Sequence, residues 1–240
     1  MKEIFFSKKS PDIEISSSKR TILGFFNLHN VWWANKRDYF NIIKKNHFRI
    51  FCDGKTVSRL LRIPQQRGPA FTKRFLSSSA AKTKNHFFIG LEQKDLENFS
   101  KITGIKKENV EPYHSDITKN KYIISLPDEE VEKISSLINK NKSDYIWIGI
   151  GSPKQEFIAD QLFNKIKAEH LICIGAGKDF LLGKKSEAPA IWQKIGLEWF
   201  YRLVTDFNHS KIKVWRSFTA LMSILYRDIK LSKRNNPKTK

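Results

Sequence analysis

Cysteine is nearly missing from this chain: Cys52 and Cys173 are the only two among 240 residues. Two thiols in a chain this long build no disulfide framework. Each stands in an apolar, strand-like stretch, which predicts buried free thiols in a reducing compartment. Long apolar runs are missing too. Nothing approaches the ~18 consecutive apolar residues of a membrane span. Met1–Pro11 breaks after two Phe into Ser, Lys and Pro, without an apolar stretch of signal-peptide length. A cytoplasmic protein is expected. Acidic residues are scarce, 24 against 44 Lys and Arg, for a formal net charge of +20. Such a field draws polyanions, whether nucleic acid, anionic head groups or phosphorylated substrates, and does not choose among them.

Missing motifs narrow the choice. No RNA-recognition aromatic motif, zinc-finger spacing or helix-turn-helix signature is present, so no specific nucleic acid is expected, although charge alone keeps a non-catalytic nucleic-acid-binding protein as the rival reading. The glycine fingerprint of dinucleotide-dependent oxidoreductases, with its acidic residue about 20 positions on, is absent. So is an Asp-x-Asp metal motif. No metal and no cofactor are expected, and no internal repeat appears.

What is present suits one substantial core: 40% of residues are apolar and 12% aromatic. Strand-like segments at Thr21–Asn27, Phe48–Cys52, His86–Gly90, Asn109–Tyr113, Tyr145–Ile150 and 171–174 alternate with helical ones at His29–Lys45, 54–62, 70–80, about 92–103, Asp128–Asn139 and 153–167. This rhythm predicts an α/β, Rossmann-like, mostly parallel sheet with helices on both faces, occupying residues 1–206. Ligands of such sheets sit beyond the carboxyl ends of the strands. Asn27, Asp53-Gly54, Gly90, Gly149–Gln155 and Gly175–Gly183 stand there.

Gly149-Ile150-Gly151-Ser152-Pro153-Lys154-Gln155-Glu156 follows a strand and opens a helix. Its glycines admit a close ligand, and free N–H groups at a helix start favour an anion. A structural turn explains the glycines equally well, but not the Lys-Gln-Glu triplet at the sheet's mouth. Asp53 beside Gly54 suits a general base, while an ordinary Asp-Gly turn is the commoner use of that pair. Asp179, in Gly175-Ala176-Gly177-Lys178-Asp179-Phe180-Leu181-Leu182-Gly183, is either a turn residue or a ligand for sugar hydroxyls. Ala188–Val204 reads as an aromatic-rich helix, with Glu198 and Arg202 at ion-pair spacing.

The order DG, GxGSPKQE, GAGxDFLxG, AP and GLEWFYRL resembles the WecG/TagA/CpsF family of bacterial glycosyltransferases, from about Thr21 to Asp206. The resemblance implies inverting, metal-independent transfer of a hexose, typically N-acetylmannosamine, from a UDP-sugar donor. The acceptor it implies is a polyprenyl-diphosphate-linked sugar of cell-surface polysaccharide synthesis. Carried over by position, it makes Asp53 the base and Gln155 an active-site residue. Asn27 matches the Asn of a Thr-x-Asn motif, and Arg67 an Arg after the DG helix. Gly54, Gly90, Gly151, Lys154, Glu156 and Asp179 complete the candidate substrate-binding set, with Arg202 and Arg216 as candidates for the donor diphosphate. Three departures stand out. The motif's Thr falls on Phe25, its usual Gly-Gly on Gly90-Leu91, and its trailing Pro and Arg around Phe207-Asn208-His209.

Residues 207–240 carry nine Lys or Arg against one acid, Asp228. Val214, Phe218, Leu221, Leu225 and Ile229 fall at helical spacing, with Trp215, Met222 and Tyr226 alongside. The pattern predicts a basic helical C-terminal appendage lying on an anionic membrane surface, peripherally attached at the inner face of the plasma membrane. The competing use of the helix is packing on its own domain or on a second subunit of a homo-oligomer.

Overall fold

The computed structural model describes residues 4–17, 19–120, 124–196, 198, 201 and 207–235. Six strands form one all-parallel sheet: β1 Thr21–Phe26, β2 Phe48–Cys52, β3 His86–Ile89, β4 Val110–Tyr113, β5 Tyr145–Ile148 and β6 His170–Cys173, ordered β2-β1-β6-β5-β3-β4. Thirteen helices are described: α1 Pro11–Ile15, α2 Leu28–Ala34, α3 Arg37–Ile43, α4 Lys55–Leu61, α5 Gly68–Leu76, α6 Ser79–Lys82, α7 Leu96–Thr103, α8 Asp116–Lys119, α9 Asp128–Lys140, α10 Lys154–Phe163, α11 Gly177–Leu181, α12 Ala190–Ile195 and α13 Phe207–Asn235.

The strands are short and apolar on both faces because both faces are covered. Alternate residues divide between two cores. Leu23, Phe25, Trp147 and Ile172 point into one, under Phe71, Phe75, Phe99 and Leu181 from α5, α7 and α11. Ile22, Ile146, Ile148 and Leu171 point into the other, under Val131, Ile134, Ile158 and Leu162 from α9 and α10. Trp147 is fully buried, and its indole N–H donates to His86 Nδ1 at 3.0 Å. A large apolar ring can be interior only if that N–H finds a partner.

Three predicted helices are interrupted where the periodicity ran on. His29–Lys45 is broken where Lys36 turns to extended backbone (φ −80, ψ 132), and α3 then carries Tyr39 inward against Phe26. The segment 70–80 breaks before Ser78, whose side chain caps α6 by accepting from the Ala81 N–H. Within the predicted Ala188–Val204 helix, α12 ends at Gly196, which sits at φ +85, and the described residues Glu198 and Tyr201 are again helical. Residues 197, 199, 200 and 202–206 lie outside the described set.

The 29-residue α13 lies against α2. Ser217, Ala220 and Ile224 are buried, Ala220 and Ile224 packing with Leu28, Val31, Cys52 and Val57, and half-buried Leu221 flanks them. Small Ser217 and Ala220 let the helix backbone approach closely. The opposite side exposes Ile212, Trp215, Phe218, Met222, Leu225 and Tyr226. The predicted apolar stripe therefore divides: Leu221 packs on the domain and Phe218 and Leu225 do not. The Ile229 side chain lies outside the described residues.

Candidate active site

A cavity of about 310 Å³ opens at the carboxyl ends of β1, β2, β5 and β6. Asn27, Asp53, Gly54, Arg67, Gly151 and Gln155 line it, so six of the predicted site residues meet in one place.

Asp53 directly follows β2, and its N–H extends the ladder to Phe26 O at 2.9 Å. Its carboxylate Oδ1 accepts from the N–H of Gly68, the first residue of α5, at 2.8 Å. A Cβ at Gly68 would lie 3.1 Å from the Phe25 ring, so glycine there lets the helix start come close. The positive end of α5 thus faces the Asp53 carboxylate. Asn27 caps α2: its side chain accepts from the His29 N–H at 2.9 Å, and Asn30 Oδ1 accepts from the Asn27 N–H at 3.2 Å. Phe25 is buried and also lines the cavity, its ring tilted against those of Phe51 and Phe71. The wall is apolar where the family's Thr would be polar.

Gln155 is 2% exposed. Its amide donates to Glu156 Oε1 at 2.8 Å and Ser152 Oγ at 3.1 Å, and its oxygen accepts from the Gly175 N–H at 2.9 Å. It therefore ties the loop after β5 to the loop after β6.

Lys55, Arg67, Lys185 and Lys213 bring cations to the same cavity. Arg67 pairs with Glu187 at 2.5 Å. Burial lowers its pKa, but the hydrogen bond and charge of Glu187, with Glu198 and Asp53 beyond, outweigh this and raise it. Arg59 donates to the Ile195 and Lys194 carbonyls, and Thr56 Oγ1 to Gly196 O at 2.6 Å, docking the end of α12 beside Gly54.

His29 was not anticipated. It lines the cavity with 9% of its surface exposed. Burial, reinforced by Lys213 and Arg216, pushes its pKa down to about 4, so it is neutral at physiological pH. Nε2 accepts from the Trp33 indole N–H at 3.2 Å, which leaves Nδ1 carrying the proton. Lys185, Glu187, Lys213 and Ser217 were likewise missed.

Five predicted residues lie outside the cavity lining. Gly90, at φ +100, is packed so tightly under β5 that a Cβ would meet Ile150 at 2.9 Å. Lys154 turns away and donates to the carbonyls of Thr118 (3.2 Å) and Asn120 (3.0 Å) at the end of α8, with its pKa lowered by burial. Glu156 has no exposed surface. Asp179 binds Lys178 at 2.7 Å and Lys185 at 3.5 Å, acting on the cavity only through Lys185. The Arg216 guanidinium lies 4.5 Å and 4.9 Å from the ring centres of Trp32 and Trp33. Arg202 lies outside the described residues. Among the described residues no group of three His, Cys, Asp or Glu is placed to hold a metal ion, and no helix is long and apolar enough to cross a membrane.

A sequence model described as the glycosyl transferase WecG/TagA/CpsF family matches residues 12–236. Similar curated proteins include N-acetylglucosaminyldiphosphoundecaprenol N-acetyl-beta-D-mannosaminyltransferases of Staphylococcus aureus strains MRSA252, NCTC 8325 / PS 47 and COL. Each is 35% identical over 85 residues, which is 35% of this chain and 32% of the relative's length.

Proposed function

Since the chain belongs to the WecG/TagA/CpsF glycosyltransferase family, we propose that it moves a hexose of the N-acetylmannosamine type from a UDP-sugar to a sugar carried on undecaprenyl diphosphate. The observation that carries this reading is the Asp53 carboxylate, held by the α5 amide in a cavity that also gathers Lys55, Arg67, Lys185 and Lys213. Asp53 takes the proton from the acceptor hydroxyl, whose oxygen attacks the anomeric carbon from the face opposite UDP. The bond to the diphosphate breaks, the configuration inverts, and the side-chain cations meet the charge left on UDP. Gln155 acts by keeping the loops after β5 and β6 in register.

The exposed side of α13 supports a second part of the proposal. Trp215, Phe218, Met222 and Tyr226 form an apolar stripe on a basic helix, suited to lie in the head-group layer where a polyprenyl acceptor resides. The opposite side of the same helix brings Lys213 and Ser217 to the cavity. Incubating the protein with a panel of UDP-sugars and a polyprenyl diphosphate sugar, with products read by mass spectrometry, tests the reading. A product heavier by one N-acetylhexosamine supports it, and no transfer from any donor overturns it.

A further inference from the structure

Glu156 is the most deeply buried acid beside the cavity, with 0% of its surface exposed. Oε1 accepts from Ser152 Oγ at 2.7 Å and Gln155 Nε2 at 2.8 Å, whereas Oε2 has no hydrogen-bond partner. Among the described residues no Lys, Arg or His pairs with it. An ionised carboxylate in such a place is costly unless it is paired or fully hydrogen-bonded.

Its two donors lead outward. Ser152 Oγ also accepts from Asn30 Nδ2 at 2.7 Å, and Asn30 Oδ1 in turn accepts from the Asn27 N–H. Gln155 Oε1 accepts from the Gly175 N–H. One continuous chain of hydrogen bonds therefore joins the ends of β1, β5 and β6, and the fully buried Glu156 Oε1 is the acceptor that Ser152 and Gln155 share at its middle, where those two also meet directly at 3.1 Å. We propose that Glu156 is a positioning residue: it never touches substrate, but through Ser152 and Gln155 it holds the three strand-end loops that wall the cavity. The activity part of this inference rests on the glycosyl-transfer reading, while the structural part stands without it.

The electrostatics agree with the geometry. Burial pushes the Glu156 carboxyl up to about 7, against the hydrogen bonds from Gln155 and Ser152 that act the other way. The titratable groups facing it are Tyr39 on α3 and Cys173 on β6, both raised well above their ordinary values by burial and so neutral. In the unfolded chain the carboxyl ionises near its ordinary 4.5. Between these values the folded protein holds the extra proton, so stability that is full at low pH declines as pH rises toward 7.

Glu156→Gln keeps an oxygen where Oε1 stands and removes the titration, whereas Glu156→Ala removes the shared acceptor and leaves Ser152 and Gln155 only their direct 3.1 Å contact. Three readouts decide the matter. In the Ala variant, hydrogen exchange at the Asn27 and Gly175 amides should accelerate about tenfold or more, and in the Gln variant both should stay protected. Turnover in the Ala variant should fall by about ten- to a hundredfold through misplaced walls, and Gln should restore it to within about threefold. Wild type should lose stability relative to the Gln variant between about pH 5 and pH 7, which a purely packing role would not produce. Unchanged exchange in the Ala variant, a Gln variant as impaired as Ala, or parallel stability curves would each overturn the proposal. If wild type transfers no sugar at all, the function fails, yet the exchange and stability readouts still decide for or against Glu156. Should the Ala variant not fold, the Gln variant's stability curve decides alone.

Discussion

Ile224 tests whether α13 completes the cavity or merely sits beside it. The side chain is 1% exposed, within a cluster of Leu28, Val31, Cys52 and Val57. Its companions on the buried face, Ser217 and Ala220, cover little apolar area, and Leu221 is only half-buried. Ile224 is thus the largest buried side chain of α13 among the described residues. Truncation to Ala leaves a cavity and costs about 2–4 kcal/mol. That shifts the ratio of docked to undocked helix by about thirtyfold to several hundredfold. Apparent affinity for the donor falls in proportion to the docked fraction, because Lys213 and Ser217 leave with the helix. Limited trypsin digestion at Lys211, Lys213 and Arg216, paired with UDP titration by calorimetry, reads both quantities. The Ile224→Ala variant should be cut faster and bind UDP more weakly, while cleavage within the sheet core stays slow. Faster cleavage with unchanged UDP affinity would refute the idea that α13 helps form the site.

Other expectations follow from the same geometry. Asp53→Asn keeps an acceptor for the Gly68 N–H, so the fold and donor binding should survive while turnover drops by about two to four orders of magnitude; near-normal turnover removes Asp53 from the role of base. EDTA should leave the rate almost unchanged, since Lys55, Arg67, Lys185 and Lys213 are present to meet the diphosphate charge; loss restored by manganese or magnesium would show that the leaving group is handled otherwise. Replacing Trp215 and Phe218 with Ser should weaken sedimentation with phosphatidylglycerol vesicles, and high salt should weaken it further, because each Lys or Arg near the surface adds about 1 kcal/mol. Vesicle binding indifferent to both changes would assign the stripe elsewhere.

The sheet was legible because its signal is local: runs such as Thr21–Phe26 and Tyr145–Ile148 are apolar on both faces, as only a doubly covered strand must be. The strand ends then located Asn27, Asp53 and Gln155. Side-chain direction was not legible. Successive residues at a helix start point about 100° apart, so Lys154, Gln155 and Glu156 cannot all face one cavity. Lys154 goes to the α8 carbonyls, Glu156 inward and Gln155 to the wall. In the tail, periodicity marked an apolar helix, but the docked face was chosen by fit to α2, which takes Ala220 and Ile224 and leaves Trp215 and Phe218 outside. His29 had no signature of its own. Its role comes from Trp33 one turn later and from α13, which is remote in sequence. The Lys36 break in α2–α3 was hidden for a related reason, since burial of Tyr39 rather than a breaker residue bends the chain there.

The central claim is inverting transfer with Asp53 as the base, and the anomeric configuration of the product tests it most directly. An α-linked UDP-N-acetylmannosamine donor and a polyprenyl diphosphate sugar acceptor should give a β-linked disaccharide by NMR with the wild-type protein, and almost none with Asp53→Asn. An α-linked product, or equal yield from the Asn variant, would contradict the account.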